Sequence, residues 1–189
     1  MTLNLNLARV AKTIATVAIA LGLGAPAWAQ KVKLATTMGD IVIELDAAKA
    51  PKSVDNFIQY VKSGHYDGTV FHRVIDNFMI QGGGMTADMK QKPTRAPIPL
   101  ESKNGLNNVR GSVAMARTND PGSATAQFFI SVKDNAFLDA ANSRDGNGYA
   151  VFGHVVSGMD VVDKIKAVPT GPGDMPVQPV TIKTATLEK

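Results

Sequence analysis

Residues 71 to 84 read FHRVIDNFMIQGGG, and Arg73 is the residue out of place there. The stretch is strand-like and apolar, built from Phe71, Val74, Ile75, Phe78, Met79 and Ile80, and it closes on three glycines. A guanidinium set in an apolar wall needs a partner, because stripping its water is costly. Taken alone, Arg73 fits two readings equally: half of a buried ion pair, or a working group in a pocket walled by Phe and Met. Gln81 is a second polar interruption of the same wall. His72, next to Arg73, falls on the opposite face of a regular strand and reads as a structural hydrogen-bonding group.

The common catalytic machineries are missing. The chain has no cysteine, which excludes disulfides, thiolate metal sites and a Cys nucleophile. It has no G-x-S-x-G elbow and no phosphate-binding or dinucleotide glycine pattern. Gly82-Gly83-Gly84 follows a strand, but no helical pattern starts there, so the run reads as a sharp bend at a strand end. His65, His72 and His154 lack the i, i+4 spacing of a zinc site. DAANSRDGNG does not place its carboxylates in EF-hand order. The expectation is therefore no metal and no cofactor.

Rotation about an X-Pro peptide bond needs none of these. Its barrier of ~18–20 kcal/mol comes from the conjugation lost when the planar amide twists. A catalyst must hold the proline ring and favour the twisted amide, each ~1.4 kcal/mol of such preference giving a factor of ten. An apolar pocket suits the ring, and a fixed cation with several N–H donors suits the amide nitrogen freed by twisting. An arginine in a Phe/Met pocket answers both needs.

The surrounding pattern has to position these residues. VKLATTMGDIVIELD reads as two strands around a Met38-Gly39-Asp40 turn. Val54, Phe57, Ile58 and Val61 fall at i, i+3, i+4 and i+7, the stripe of a helix that Pro51 opens and Gly64 ends. TVFHRVI, NFMIQGG, GSVAMAR, QFFISV, YAVFGHVV and VTIKTATL read as further strands. SGMDVVDKIKAV reads as a second helix with Ser157 as its cap. Eight strands that mostly do not alternate with two helices argue against a parallel sheet. They predict a mainly β fold: a closed eight-stranded antiparallel β-barrel capped by two α-helices.

The N-terminus reads as an export signal. Arg9 and Lys12 precede an apolar run from Thr13 to Gly24, then Ala27-Trp28-Ala29 offers a small-x-small cleavage site. The run is short of the ~20 residues a membrane span needs. Residues 1–29 are expected to be a cleaved secretory signal peptide and residues 30–189 the folded domain. Loss of Arg9 and Lys12 would take the formal charge from +4 to +2. No basic cluster remains to suggest nucleic acid, no membrane attachment is expected after cleavage, and nothing suggests a permanent dimer, so the expectation is a monomer.

FHRVIDNFMIQGGG, GSVAMARTNDPGSATAQFFISV, AFLD and YAVFGHVVSGMDVV together resemble the signature blocks of the cyclophilin-type peptidyl-prolyl cis/trans isomerases, and with the signal peptide their bacterial periplasmic branch. The resemblance runs from about Lys31 to the C-terminus. It implies Arg73 as the catalytic residue. It implies Phe78, Met79, Phe129 and Leu138 as walls of the proline pocket. Alternation lets only one of Phe128 and Phe129 face a groove, and the family pattern selects Phe129. Gln81 would hydrogen-bond the substrate backbone and help orient Arg73. Ala116 and the main chain of Arg117 would hold an extended substrate. Phe137 and Tyr149 stand where many members carry Trp and His, and both keep the groove apolar. The indole N–H lost at Phe137 implies weak sensitivity to cyclosporin.

The resemblance thus implies a periplasmic isomerase whose partners are proline-containing unfolded or extended polypeptides. A protein that binds proline segments without turnover would share the groove, and so would a carrier of small apolar ligands. Arg73 and Gln81 weigh against both.

Overall fold

The computed structural model describes residues 30–188, so the expected signal peptide, residues 1–29, lies outside the described residues. β1 (Lys31–Thr36) and β2 (Gly39–Leu45) form the predicted hairpin, with Val32, Leu34, Ile41, Ile43 and Leu45 facing inward. α1 (Pro51–Lys62) buries the predicted stripe of Val54, Phe57, Ile58 and Val61. There follow β3 (Thr69–Val70), β4 (Arg73–Ile75), β5 (Met79–Gly82), β6 (Met85–Thr86), β7 (Ser112–Met115), β8 (Phe128–Ser131) and β9 (Val151–Ser157). The chain ends with α2 (Met159–Lys166), β10 (Thr170–Gly171), β11 (Met175–Pro176) and β12 (Ile182–Glu188).

Eight strands form one antiparallel sheet in the order β12-β1-β2-β9-β7-β8-β5-β4. The expectation of a closed barrel is corrected here: the sheet is an open, strongly curled half-barrel whose end strands, β4 and β12, share no ladder. TVFHRVI, read as one strand, breaks at Phe71 and His72. Its first part pairs with β6 and its second with β5. Across the open seam run a single Val70–Thr181 bridge and two backbone hydrogen bonds, from Gly68 N–H to the Ile182 carbonyl (2.8 Å) and from Phe71 N–H to the Val180 carbonyl (2.9 Å).

The two helices close the interior. α1 lies on β12 and β9, and α2 lies on β2, β5 and β4. Phe57 of α1 sits at the centre, its ring 5.0 Å from those of Tyr66 and Phe152 and edge-on to Phe128 at 5.5 Å. α2 adds Val161, Val162 and Ile165. Ser157 does not cap it. Ser157 is the last residue of β9, and Gly158 takes the cap position at φ 86°, where a Cβ would strike the Asp40 carbonyl.

α1 has no capping side chain of its own, since Ala50 occupies that position. Glu101, from the long loop, supplies the acceptors instead: its carboxylate takes the N–H of Lys52 (3.0 Å), the N–H of Ser53 (2.8 Å) and the Ser53 hydroxyl (2.7 Å). A carboxylate there satisfies orphan donors and complements the helix dipole. Glu101→Ala should cost about 1–2 kcal/mol, as loss of a helix cap does. A urea titration reads it directly, and an unchanged midpoint would mean another group caps the helix.

Two imidazoles, His65 buried and His72 half-buried, bear on pH dependence. His65 lies 4.5 Å from the Tyr60 ring with a ring nitrogen 3.2 Å from the Gly83 carbonyl, and burial pushes it below its ordinary value. His72 is lowered first by burial and also by the charge of Arg73, against a hydrogen bond with the Val70 backbone that raises it, and its Nδ1 has no hydrogen-bond partner. Below the ordinary histidine value of ~6.5 the unfolded chain binds protons that the fold excludes, so stability falls as pH drops. The thermal midpoint at about pH 5.5 should lie below that at about pH 7.5; a flat profile across this range would show that neither imidazole is perturbed.

Candidate active site

The strands around Arg73 carry apolar residues on both faces. Val74, Ile80, Ile130 and Val113 align across β4, β5, β8 and β7 and point into the main core. Their sequence neighbours point the other way. Arg73 pairs with Gln81, Gln81 with Phe129, and Phe129 with Ala114, forming one row across the outer face. Met79, Ala114, Phe129, Leu138 and Val151 make a second apolar cluster there, with Phe78, Ala116 and Tyr149 against it. Phe128 faces the core against Tyr66 and Phe71, so Phe129 is the phenylalanine on the outer face.

Nine of the ten residues singled out from the sequence line one cavity of about 110 Å³: Arg73, Phe78, Met79, Gln81, Ala116, Arg117, Phe129, Leu138 and Tyr149. The tenth, Phe137, stands at its rim. It is 57% exposed and stacks on Phe78 with ring centroids 5.6 Å apart. At ~30 Å³ per water, the cavity has room for a single small ring. A larger cavity, of about 790 Å³, opens between β2, β9 and the 105–109 loop. It contains none of these ten residues and no Arg or Lys, so the candidate chemistry belongs to the smaller one.

The polar groups of the small cavity are held from outside it. Gln81 Nε2 donates to Gln127 Oε1 (2.9 Å) rather than meeting Arg73. Arg73 Nε lies 3.5 Å from Asp174 Oδ2, with both side chains nearly half exposed. Arg117, whose side chain is only 4% exposed, has a partner at each of its three guanidinium nitrogens. Its Nε donates to the Gly148 carbonyl (2.9 Å), one terminal nitrogen to the Thr118 carbonyl (3.0 Å), and the other to the Asp145 carboxylate. Its guanidinium also lies 4.6 Å above the Tyr149 ring, a cation–π contact. The Asn147 backbone N–H and Arg117 hold the Asp145 carboxyl well below the usual carboxylate range. Asn135 Nδ2 donates to the Phe78 carbonyl (2.9 Å) and fixes the wall from below.

Sequence reasoning missed Gln127, Asp145 and Asp174. Gln127 was findable, since it stands two residues before Phe129 and alternation puts both on one face. Asp145 and Asp174 come from turns distant in the chain and carry no local signal.

The sequence profile of the family described as cyclophilin type peptidyl-prolyl cis-trans isomerase/CLD matches residues 31–187. The chain belongs to that family. It is a peptidyl-prolyl cis-trans isomerase, similar throughout the fold to enzymes of that name. The peptidyl-prolyl cis-trans isomerase cyp18 of Streptomyces antibioticus is 62% identical over 161 residues, covering 82% of this chain and 97% of that one. The peptidyl-prolyl cis-trans isomerase B of Escherichia coli strain K12 is 54% identical over 159 residues, covering 82% and 97%. Among solved structures, a Cryptosporidium parvum cyclophilin crystallised in the presence of the dipeptide Ala-Pro matches with a TM-score of 0.72 at 26% identity, covering 85% of this chain and 99% of that one.

The Arg117–Asp145 pair ties the loop before β9 of this cyclophilin to the cavity wall, with the guanidinium lying over Tyr149. Without Asp145 a nearly buried guanidinium would lack its counter-charge and Tyr149 would lose its clamp. Asp145→Ala should weaken binding of an X-Pro peptide several-fold and broaden the Tyr149 ring resonances. Unchanged peptide affinity would mean that packing alone holds Tyr149.

Proposed function

We propose that this isomerase acts on proline-containing segments of unfolded or extended exported chains, with Arg73 as the catalytic residue. The observation that carries this reading is the row Arg73–Gln81–Phe129 along one cavity of single-ring size, where apolar walls meet two arginines and a glutamine. The proline ring enters between Phe78, Met79, Phe129 and Leu138. The Arg73 guanidinium then donates toward the prolyl nitrogen, whose lone pair becomes available only as the amide twists. A donor that binds the twisted amide better than the planar one lowers the barrier. Gln81, held by Gln127, offers its amide to the substrate backbone. Ala116 and the main chain of Arg117 pair with the extended chain beside the proline. Tyr149 closes one side of the groove and Phe137 the rim, where it offers no N–H donor to a cyclic peptide inhibitor.

The signal-peptide pattern of residues 1–29 supports export and, in a double-membraned cell, a periplasmic location where newly exported chains fold. We infer a monomer working without cofactor or metal, since bond rotation calls for no group beyond these side chains.

Cis/trans exchange in a short X-Pro peptide, followed by NMR with the wild-type chain and with Arg73→Ala, tests the reading. Wild-type protein should make exchange fast, and Arg73→Ala should lower it by about two orders of magnitude, as loss of a transition-state hydrogen-bond donor does. Full activity in the variant would remove Arg73 from the chemistry.

A further inference from the structure

We propose that Asp174 is a positioning residue for the isomerisation: its carboxylate faces the Nε edge of Arg73 at ion-pair distance and leaves the two terminal nitrogens for the prolyl amide. The inference rests on Arg73 being the catalytic residue.

Asp174 sits in a three-residue loop, Pro172-Gly173-Asp174, closing the small hairpin of β10 and β11. Gly173 and Asp174 are consecutive left-handed residues, at φ 73° and φ 60°. Glycine adopts that conformation freely. A residue with a side chain does so at a cost, which Asp and Asn tolerate best. Backbone held in a sparsely populated region points to a constraint elsewhere, and here the loop lies against β4. The result is a carboxylate 3.5 Å from Arg73 Nε.

At the exposure of these two side chains an ion pair contributes little to stability, so holding the fold together does not explain it. Its effect falls on orientation. A guanidinium is a planar fork, and an anion at ion-pair distance from its Nε edge biases the plane in which its terminal N–H groups point. Arg73 sits at an edge strand, and Gln81 opposite it is engaged with Gln127, so Asp174 is its anionic neighbour. The other arginine of the cavity, Arg117, is likewise matched, by Asp145. Each guanidinium of the groove therefore has its own carboxylate, and the groove offers no net positive charge to an acidic segment.

The test uses Asp174→Asn and Asp174→Gly, both compatible with positive φ, in the full chain beside wild type and Arg73→Ala. Exchange is measured by NMR on two peptides, one with Ala and one with Glu before the proline. Both Asp174 variants should lower kcat about three- to tenfold, the signature of an interaction that counts in the transition state. KM for the Ala peptide should stay within about twofold, and KM for the Glu peptide should fall, because Arg73 is left uncompensated. The Arg73 Nε–H resonance, assigned by its loss in Arg73→Ala, should shift in Asp174→Asn while the thermal midpoint holds. Wild-type kcat in both Asp174 variants, with Arg73→Ala inactive, would overturn the role of Asp174 alone. Wild-type exchange in Arg73→Ala would overturn the reading beneath it.

Discussion

A β-sheet has two sides, and β4, β5, β8 and β7 carry apolar residues on both. The inner face belongs to the core around Phe57, and the outer face carries the cluster of Met79, Ala114, Phe129, Leu138 and Val151. Everything at the groove depends on this division. Side chains alternate strictly along a strand, so a slip of one residue would exchange the two sets wholesale. Arg73 and Gln81 would then enter the core, and Val74 and Ile80 would take their places. The cost of burying an unpaired guanidinium thus works with the packing of Phe128 to enforce the register. The same row that makes the candidate site therefore also fixes the pairing of the strands beneath it.

The strands supply position and apolar surface, and the loops supply the polar partners. Gln127 reaches Gln81 from the turn before β8, Asp145 reaches Arg117 from the turn before β9, and Asp174 reaches Arg73 from the hairpin before β12. Such a division suits a catalyst of bond rotation. The reaction moves no proton and breaks no bond, so the geometry of donors matters more than their acidity. Rigid strands and short, glycine-punctuated turns can both hold geometry.

Much of this was legible in the residues. Alternation in β1 and β2 and the i, i+3, i+4, i+7 stripe of α1 follow from which side chains must leave water, and they needed no tertiary information. Arg73 and Gln81 stood out because polar groups in an apolar run are costly unless used. Alternation alone could not say which of Phe128 and Phe129 faces outward, because both faces are apolar; the family resemblance made that choice. The seam was not legible. A run such as TVFHRVI satisfies strand preferences along its whole length, and its break at Phe71 and His72 comes from two separate pairing partners. Nor was Ser157 legible as a strand residue, since the sharp turn at Gly158 is set by the approach of Asp40. Asp174 was hidden for a simpler reason: it lies a hundred residues from the arginine it meets, and nothing in its own turn announces that contact.

Glu101 and β12 have a consequence for the order in which the chain can assemble. α1 lacks a cap of its own and takes one from a residue 48 or 49 positions downstream. β1 and β12, the first and last strands among the described residues, pair along the whole length of β1. A chain delivered from its N-terminus therefore cannot complete either the pairing of β1 or the start of α1 as those segments emerge. Both must wait, with Val32, Leu34 and the stripe of α1 exposed, until sequence-distant partners arrive. Such non-local pairing slows folding and lengthens exposure to aggregation. A catalyst of this fold thus carries in its own topology the same vulnerability as any slow-folding chain on which it would act.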